Sequence, residues 1–215
     1  MPRFSVIIPV YNKEKQLSKT IESVIKQRFE DFELIVVNDG ATDTSEAIIK
    51  SFTDPRIHYI KQENQGVSVA RNTGIKAANA DYIALLDADD IWKENYLEKI
   101  NALIDRYPKQ HVFAAVCTIE SRGKMYKPTY SIANLSPNKS YVVSYYTSSY
   151  INTILTSSST VLHKDVFETI SKHVVSMKDQ IELKSHVVSC SDCTKEFTMP
   201  VTMDQANFFD VKSQN

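Results

Sequence analysis

Two short apolar runs near the start of the chain constrain its fold most. Phe4, Val6, Ile7, Ile8 and Val10 form one, and residues 34–37 (Leu-Ile-Val-Val) form the other. Both are rich in β-branched residues and nearly continuous instead of alternating, the pattern of strands covered on both faces inside a parallel sheet. Each stops abruptly at polar residues, the first at Tyr11 and Asn12, the second at Asn38, Asp39 and Gly40. Between them Leu17, Ile21, Val24 and Ile25 recur at helical spacing, with Asn12 placed as an N-cap. After the second run, Asp43 and Glu46 stand three apart like a capping box, ahead of a helical face carrying Ile48 and Phe52. A third strand over 57–60, a stretch over 65–80 and a fourth strand over 82–86 extend the order to βαβαβαβαβ by residue 117. That order predicts an α/β fold: an open, Rossmann-like, mostly parallel sheet with helices on both faces.

In such sheets ligands gather beyond the carboxyl ends of the strands, where strand order reverses. Tyr11, Asp39 and the run Asp87-Ala88-Asp89-Asp90 all fall on that edge. Three carboxylates in four residues directly after an apolar strand repel one another and resist burial unless a cation neutralises them. Oxygen-only ligation suits Mn²⁺ or Mg²⁺, with a substrate diphosphate completing the shell. The competing explanation is a helix cap, with Asp89 or Asp90 preceding the apolar face Leu97, Ile100, Ile104 and Tyr107. A cap uses one carboxylate, however, and three are present.

Four words in this order resemble glycosyltransferase family 2, whose nucleotide-sugar-binding fold is called GT-A. They are Ser5-Val6-Ile7-Ile8-Pro9-Val10-Tyr11-Asn12, Val37-Asn38-Asp39-Gly40-Ala41-Thr42-Asp43, Gln65-Gly66-Val67-Ser68-Val69-Ala70-Arg71-Asn72 and Leu86-Asp87-Ala88-Asp89-Asp90. The resemblance covers residues 4–110 and fades through 157–167. It implies that Pro9 and Tyr11 line a nucleobase pocket and that Asp39 accepts the imide N–H of uracil or thymine. A Tyr ring offers the flat face that base stacking needs. Glu14 would lie near the ribose. Arg71, in a stretch of small residues, would contact the base edge or a diphosphate oxygen. Asp89 would hold the metal, Asp87 would contact the nucleotide or support the ion, and Asp90 would be a third member.

The implied reaction is metal-dependent, inverting transfer of a sugar from a nucleotide diphosphate donor, a UDP-sugar by the Asp39 reasoning, to an acceptor hydroxyl. Such chemistry serves cell-surface polysaccharide or glycoconjugate synthesis, and the acceptor would be a sugar or a lipid-linked one. A carboxylate base must then reach the acceptor hydroxyl. The family usually supplies it from a Glu-Asp pair followed by an apolar residue and Arg. Here the corresponding word is Met177-Lys178-Asp179-Gln180-Ile181-Glu182-Leu183, which departs from the pattern and leaves Asp179 as the candidate, with Glu182 behind it. The signature of processive polysaccharide synthases, Gln, two variable residues, Arg and Trp, is absent, so single addition is expected. Two alternatives stand beside the enzyme. One is a nucleotide-sugar-binding protein with impaired or no catalysis; the other is a nucleotidyltransferase, which would want a Gly-rich loop that residues 11–15 lack.

The expected organisation is a nucleotide-sugar-binding part over 1–117, an acceptor-side part of the same domain over 118–175, and a C-terminal segment over 176–215 of unassigned structure, shortened or altered against the usual domain. The resemblance implies that this half frames the acceptor, with Tyr145, Tyr146 and Tyr150 as candidates to stack on sugar faces, although aromatics in such a stretch more often belong to a core. A net charge of −1 supplies no basic field for nucleic acid. The apolar runs fall short of the roughly 18 residues a membrane helix needs, and no cleavable leader is read from the N-terminus. The expected location is therefore cytoplasmic, with peripheral association at the inner face of the membrane, where lipid-linked acceptors sit. Three cysteines suit a reducing compartment, and Cys190, Cys193 and His186 are one ligand short of a structural zinc site. His58 and His163 read as satisfied strand residues, and His111 and His173 as loop residues.

Overall fold

The structure, a computed structural model, describes residues 1–115 and 156–167, together with the backbone of 119–121 and 124–126. The elements follow in the order β1 (Phe4–Val10), α1 (Leu17–Ile25), β2 (Phe32–Asp39), α2 (Ser45–Ser51), β3 (Ile57–Gln62), α3 (Val67–Ala77), β4 (Tyr82–Leu85), α4 (Tyr96–Arg106), β5 (Val112–Ala114), β6 (Ile119–Ser121), β7 (Lys124–Tyr126) and β8 (Thr160–His163). A 3-10 turn, Ser157–Ser159, leads into β8. Strands β6 and β7 pair with each other, and the remaining six form one sheet in the order β3-β2-β1-β4-β8-β5.

Burial on both faces explains the continuous apolar runs. Every residue of β1 and β2 is buried, and the side-chain alternation of a strand divides them between two cores. Phe4, Val6, Ile8 and Val10 pack with Leu17, Ile21 and Val24 of α1 and Leu97, Ile100 and Ile104 of α4. Ile7, Ile35, Val37, Ile83 and Leu85 pack on the other face with Ala70 and Ile75 of α3. Gly74 belongs to that second contact: a Cβ there would land on Ile7 Cγ2 of β1. Only hydrogen at this position lets α3 approach the sheet so closely.

Strands β3, β2, β1 and β4 run parallel. Because β2 and β3 lie on one side of β1 and β4 on the other, the switch point falls between β1 and β4. The fifth strand of the sequence order does not continue the parallel set next to β4. The distant β8 inserts there instead, antiparallel to β4 and to β5. Its Thr160, Val161 and Leu162 are buried, so it serves as an interior strand despite a four-residue length.

Two expected caps differ. Helix α1 begins at Leu17 after Gln16, not after Asn12. Asn12 takes a left-handed φ of 51°, and its Oδ1 accepts from the Thr42 N–H at 2.8 Å, which commits the side chain to the neighbouring loop. Likewise α2 is preceded by Thr44, and the Glu46 carboxylate accepts from Lys50 and Lys61 instead of reaching back to Asp43.

Candidate nucleotide-sugar site

The switch point gathers Arg71 of α3, the turn after β4 and the serines before β8. Arg71 is 5% exposed. Its Nη2 donates to Asp87 Oδ1 at 2.5 Å and to Ser157 Oγ at 3.0 Å. Ser158 ties the same turn down: its hydroxyl accepts from the Asp87 N–H at 3.0 Å, and its carbonyl accepts from Trp92 Nε1 at 2.6 Å. Trp92 stacks on Tyr96 with ring centroids 4.3 Å apart. Neither the two serines nor Trp92 belongs to a motif that assigns it to the site from the sequence. A run of three serines before an apolar strand is the one signal that marks the serines as buried polar anchors.

The carboxylates do not cap a helix. Asp90 N–H donates to the Asp87 carbonyl at 3.0 Å, closing a turn, and α4 starts later, after Asn95. Asp89 pairs with Lys13 Nζ at 2.6 Å, with both side chains well exposed. Lys13 escaped the sequence reading because a single lysine after a strand carries no pattern. Asp90 has its carboxyl raised from the ordinary aspartate value, first by loss of solvent around it, then by the charges of Asp87 and Asp89; a hydrogen bond from Ser158 and the charge of Lys13 act in the opposite sense. By area the residue still counts as exposed. The shift is therefore carried by the carboxyl's own surroundings at the strand end. The all-oxygen donor set fits a hard divalent ion, with Lys13 as the cation that now answers Asp89.

The base-side residues are placed as follows. Pro9 is buried inside β1, and Tyr11, just beyond that strand, is 48% exposed. Asp39 is 2% exposed at the end of β2. Its carboxylate accepts from Gln62 Nε2 at 2.7 Å, the Gln65 N–H at 3.0 Å and the Gly66 N–H at 2.9 Å. It thereby holds the β3–α3 loop, where Gly66 needs its left-handed φ of 90°. Glu14 is engaged at the start of α2: its Oε2 accepts from the Thr44 N–H at 3.1 Å and hydroxyl at 2.7 Å. Those two bonds lower its pKa from the ordinary value. A depression of about 430 Å³ lies beside Asp39, lined by Gly40, Ala41, Lys61, Gln62 and Glu63. Arg71, Asp87, Asp89 and Asp90 thus come together, whereas Asp39 and Glu14 are bound into neighbouring loops. Asp179, Glu182, the acceptor-side tyrosines and the Cys190-Cys193 pair lie outside the described residues.

A parallel sheet with a switch point, and charged residues gathered beyond its carboxyl edge, defines the class of α/β proteins that hold ligands at that edge. The family model described as Glycosyl transferase family 2 matches residues 5–171, and the chain belongs to that family, with the GT-A fold. The structure of S. aureus TarS 1-349 aligns with a TM-score of 0.65 and 25% identity, covering 80% of this chain and 49% of that one. The same TarS fragment solved in complex with UDP-GlcNAc aligns equally well. Glycosyltransferase GlyA of Streptococcus pneumoniae is 44% identical over 107 residues, 49% of this chain and 15% of that protein. Minor teichoic acid biosynthesis protein GgaB of Bacillus subtilis is 40% identical over 126 residues, 56% of this chain and 14% of that protein. The chain therefore spans about one seventh of the length of these two curated relatives. Among the described residues no helix is long and apolar enough to cross a membrane.

Proposed function

We propose that this chain is the donor-binding part of a metal-dependent, inverting glycosyltransferase that moves a sugar from a nucleotide diphosphate, UDP in the first instance, to an acceptor hydroxyl. The observation that carries this reading is the Asp87–Asp90 turn at the β1/β4 switch point, with its first carboxylate clamped by the buried Arg71. In this role Tyr11 offers its exposed ring to the base. Asp39 adds the uracil imide N–H to the donors it already serves, since two carboxylate oxygens can accept about four hydrogen bonds. Glu14 stands on the ribose side. Arg71 fixes the rotamer of Asp87, which faces the nucleotide, while Asp89, with Asp90 beside it, would hold the Mn²⁺ or Mg²⁺ in place of Lys13. The bound ion would supply Lewis-acid neutralisation of charge on the departing diphosphate.

On the acceptor side a carboxylate must take the hydroxyl proton as the new glycosidic bond forms, and Asp179 is the candidate in the sequence. The complex of TarS with UDP-GlcNAc supports a uridine donor. The teichoic acid biosynthesis role of GgaB supports cell-surface polysaccharide or glycoconjugate synthesis, and the acceptor in this reading is a sugar or lipid-linked one at the inner face of the membrane.

The test is release of nucleotide from UDP- and GDP-sugars with and without Mn²⁺. Release from UDP-sugars that requires the ion is the expected result. Tight UDP binding with no turnover on any donor or acceptor would replace the enzyme by a binding protein, and no nucleotide binding at all would end the proposal.

A further inference from the structure

At the opposite edge of the sheet, away from the carboxylates, lies a second group of ligand-bearing side chains. His163 ends β8 and stands in register with Tyr82, the first residue of β4. His111 immediately precedes β5, and its carbonyl accepts from the His163 N–H at 2.8 Å. Asp165 sits in the helical residues 164–167. Antiparallel pairing and the tight strand-to-helix step thus bring three sequence-distant groups to one point. His111 Nδ1 lies 2.9 Å and His163 Nδ1 2.8 Å from the same oxygen, Asp165 Oδ1. One ligand atom from each of the three residues lies within 4.8 Å of the other two.

Neighbouring ligands of a six-coordinate ion with bonds of about 2.1 Å stand ~3.0 Å apart, and those of a tetrahedral ion with bonds of about 2.0 Å stand ~3.3 Å apart. The two nitrogen-to-oxygen spacings, 2.9 Å and 2.8 Å, lie a few tenths of an ångström below either value. The side chains are 42%, 31% and 46% exposed, so an ion can enter and water can complete its shell. His163 is held from behind by Tyr82, edge to face at 5.1 Å, which fixes its ring for ligation.

We infer that His111, His163 and Asp165 form a binding site for a transition-metal dication, zinc in the first instance, which clasps β5, β8 and the start of the following helix. Two imidazoles and one carboxylate select zinc, cobalt or nickel over the oxygen-seeking magnesium. This site is therefore distinct in ligand type and place from the carboxylate turn. Its occupancy fastens the sheet edge and takes no part in sugar transfer.

The test is calorimetric titration of the full chain with ZnCl₂ in chelator-stripped buffer. A Cys117→Ser, Cys190→Ser, Cys193→Ser background removes the three thiols that could compete. One zinc equivalent is expected, with a melting temperature that rises on binding. His111→Gln, His163→Gln and Asp165→Asn should each weaken zinc by at least about tenfold, the loss that follows even from removing an outer partner of a metal-bound histidine. Asp89→Ala should leave zinc affinity unchanged. Should His163→Gln fail to fold, the other two variants, both at well-exposed positions, carry the test alone. Equal zinc affinity in His111→Gln, Asp165→Asn and the background, or no zinc binding at micromolar concentration, would overturn the inference and leave a carboxylate hydrogen-bonded by two imidazoles.

Discussion

Replacing Arg71 by methionine should cost this fold about 2 kcal/mol, a figure reached from the Arg71–Asp87 geometry. The guanidinium is 5% exposed and donates to Asp87 at 2.5 Å and to Ser157 at 3.0 Å. Breaking a buried ion pair by removing one partner typically costs ~3–5 kcal/mol, because the other charge is left uncompensated. Asp87 is 36% exposed, so water takes over part of the lost solvation, and the expectation falls to about 2 kcal/mol. For a chain of this size 1 kcal/mol moves the melting temperature by about 2–4 °C, so a loss of ~4–8 °C is expected. Circular dichroism melts of the wild type, Arg71→Met, Asp87→Asn and the double variant give the coupling directly. A pair in contact should show at least about 0.5 kcal/mol of non-additivity. Arg71→Met should lose less in Mn²⁺, because a cation beside Asp89 relieves the repulsion that Arg71 otherwise offsets. Additive single losses, or a melting temperature unmoved by Arg71→Met, would refute the claim that this pair organises the turn.

Glu33 gives a pH signature. Burial pushes its carboxyl up, but hydrogen bonds from the Ser5 hydroxyl and the Asn79 backbone and side-chain N–H groups, together with His58, outweigh that and leave it below the ordinary glutamate value. A lowered folded-state pKa means stability present above the unfolded value of about 4.3 and lost as pH falls through the folded one. Glu33→Gln should thus be less stable than wild type at pH 7, with a gap that closes below about pH 4; urea titrations that keep a constant gap would contradict it. Gly74→Ala should destabilise by about 1–3 kcal/mol through overpacking against Ile7, measured as a shift in urea midpoint, and an unchanged midpoint would show that α3 stands farther from β1.

The parts of the fold legible in the sequence were those fixed by burial on both faces. Phe4 to Val10 and Leu34 to Val37 have almost no polar interruption, and no other placement buries them so completely. The insertion of β8 was not legible: Thr160 to His163 is four residues long, and its partners Tyr82 and Val112 are remote in sequence. At the site, Asp87, Asp89, Asp90 and Arg71 announced themselves as charges crowded beside apolar or small residues. Lys13, Ser157 and Ser158 did not, because each acts through one long-range bond that leaves no periodic trace. Asn12 shows the same limit in reverse. Its side chain suits a helix cap, but a loop N–H thirty residues away competes for the oxygen and wins. His111 and His163 read singly as loop and strand residues; only antiparallel pairing of β5 with β8 makes them neighbours.

Diffraction from crystals soaked with UDP and Mn²⁺, collected at the manganese absorption edge, tests the central claim most directly. The expected result is an anomalous peak between the Asp89 carboxylate and the diphosphate, at about the 2.1 Å that a small octahedral dication requires, with Lys13 displaced from its 2.6 Å contact to Asp89. UDP bound with no ion at Asp89, or UDP seated in the depression beside Gly40 and Glu63 away from the carboxylate turn, would contradict it.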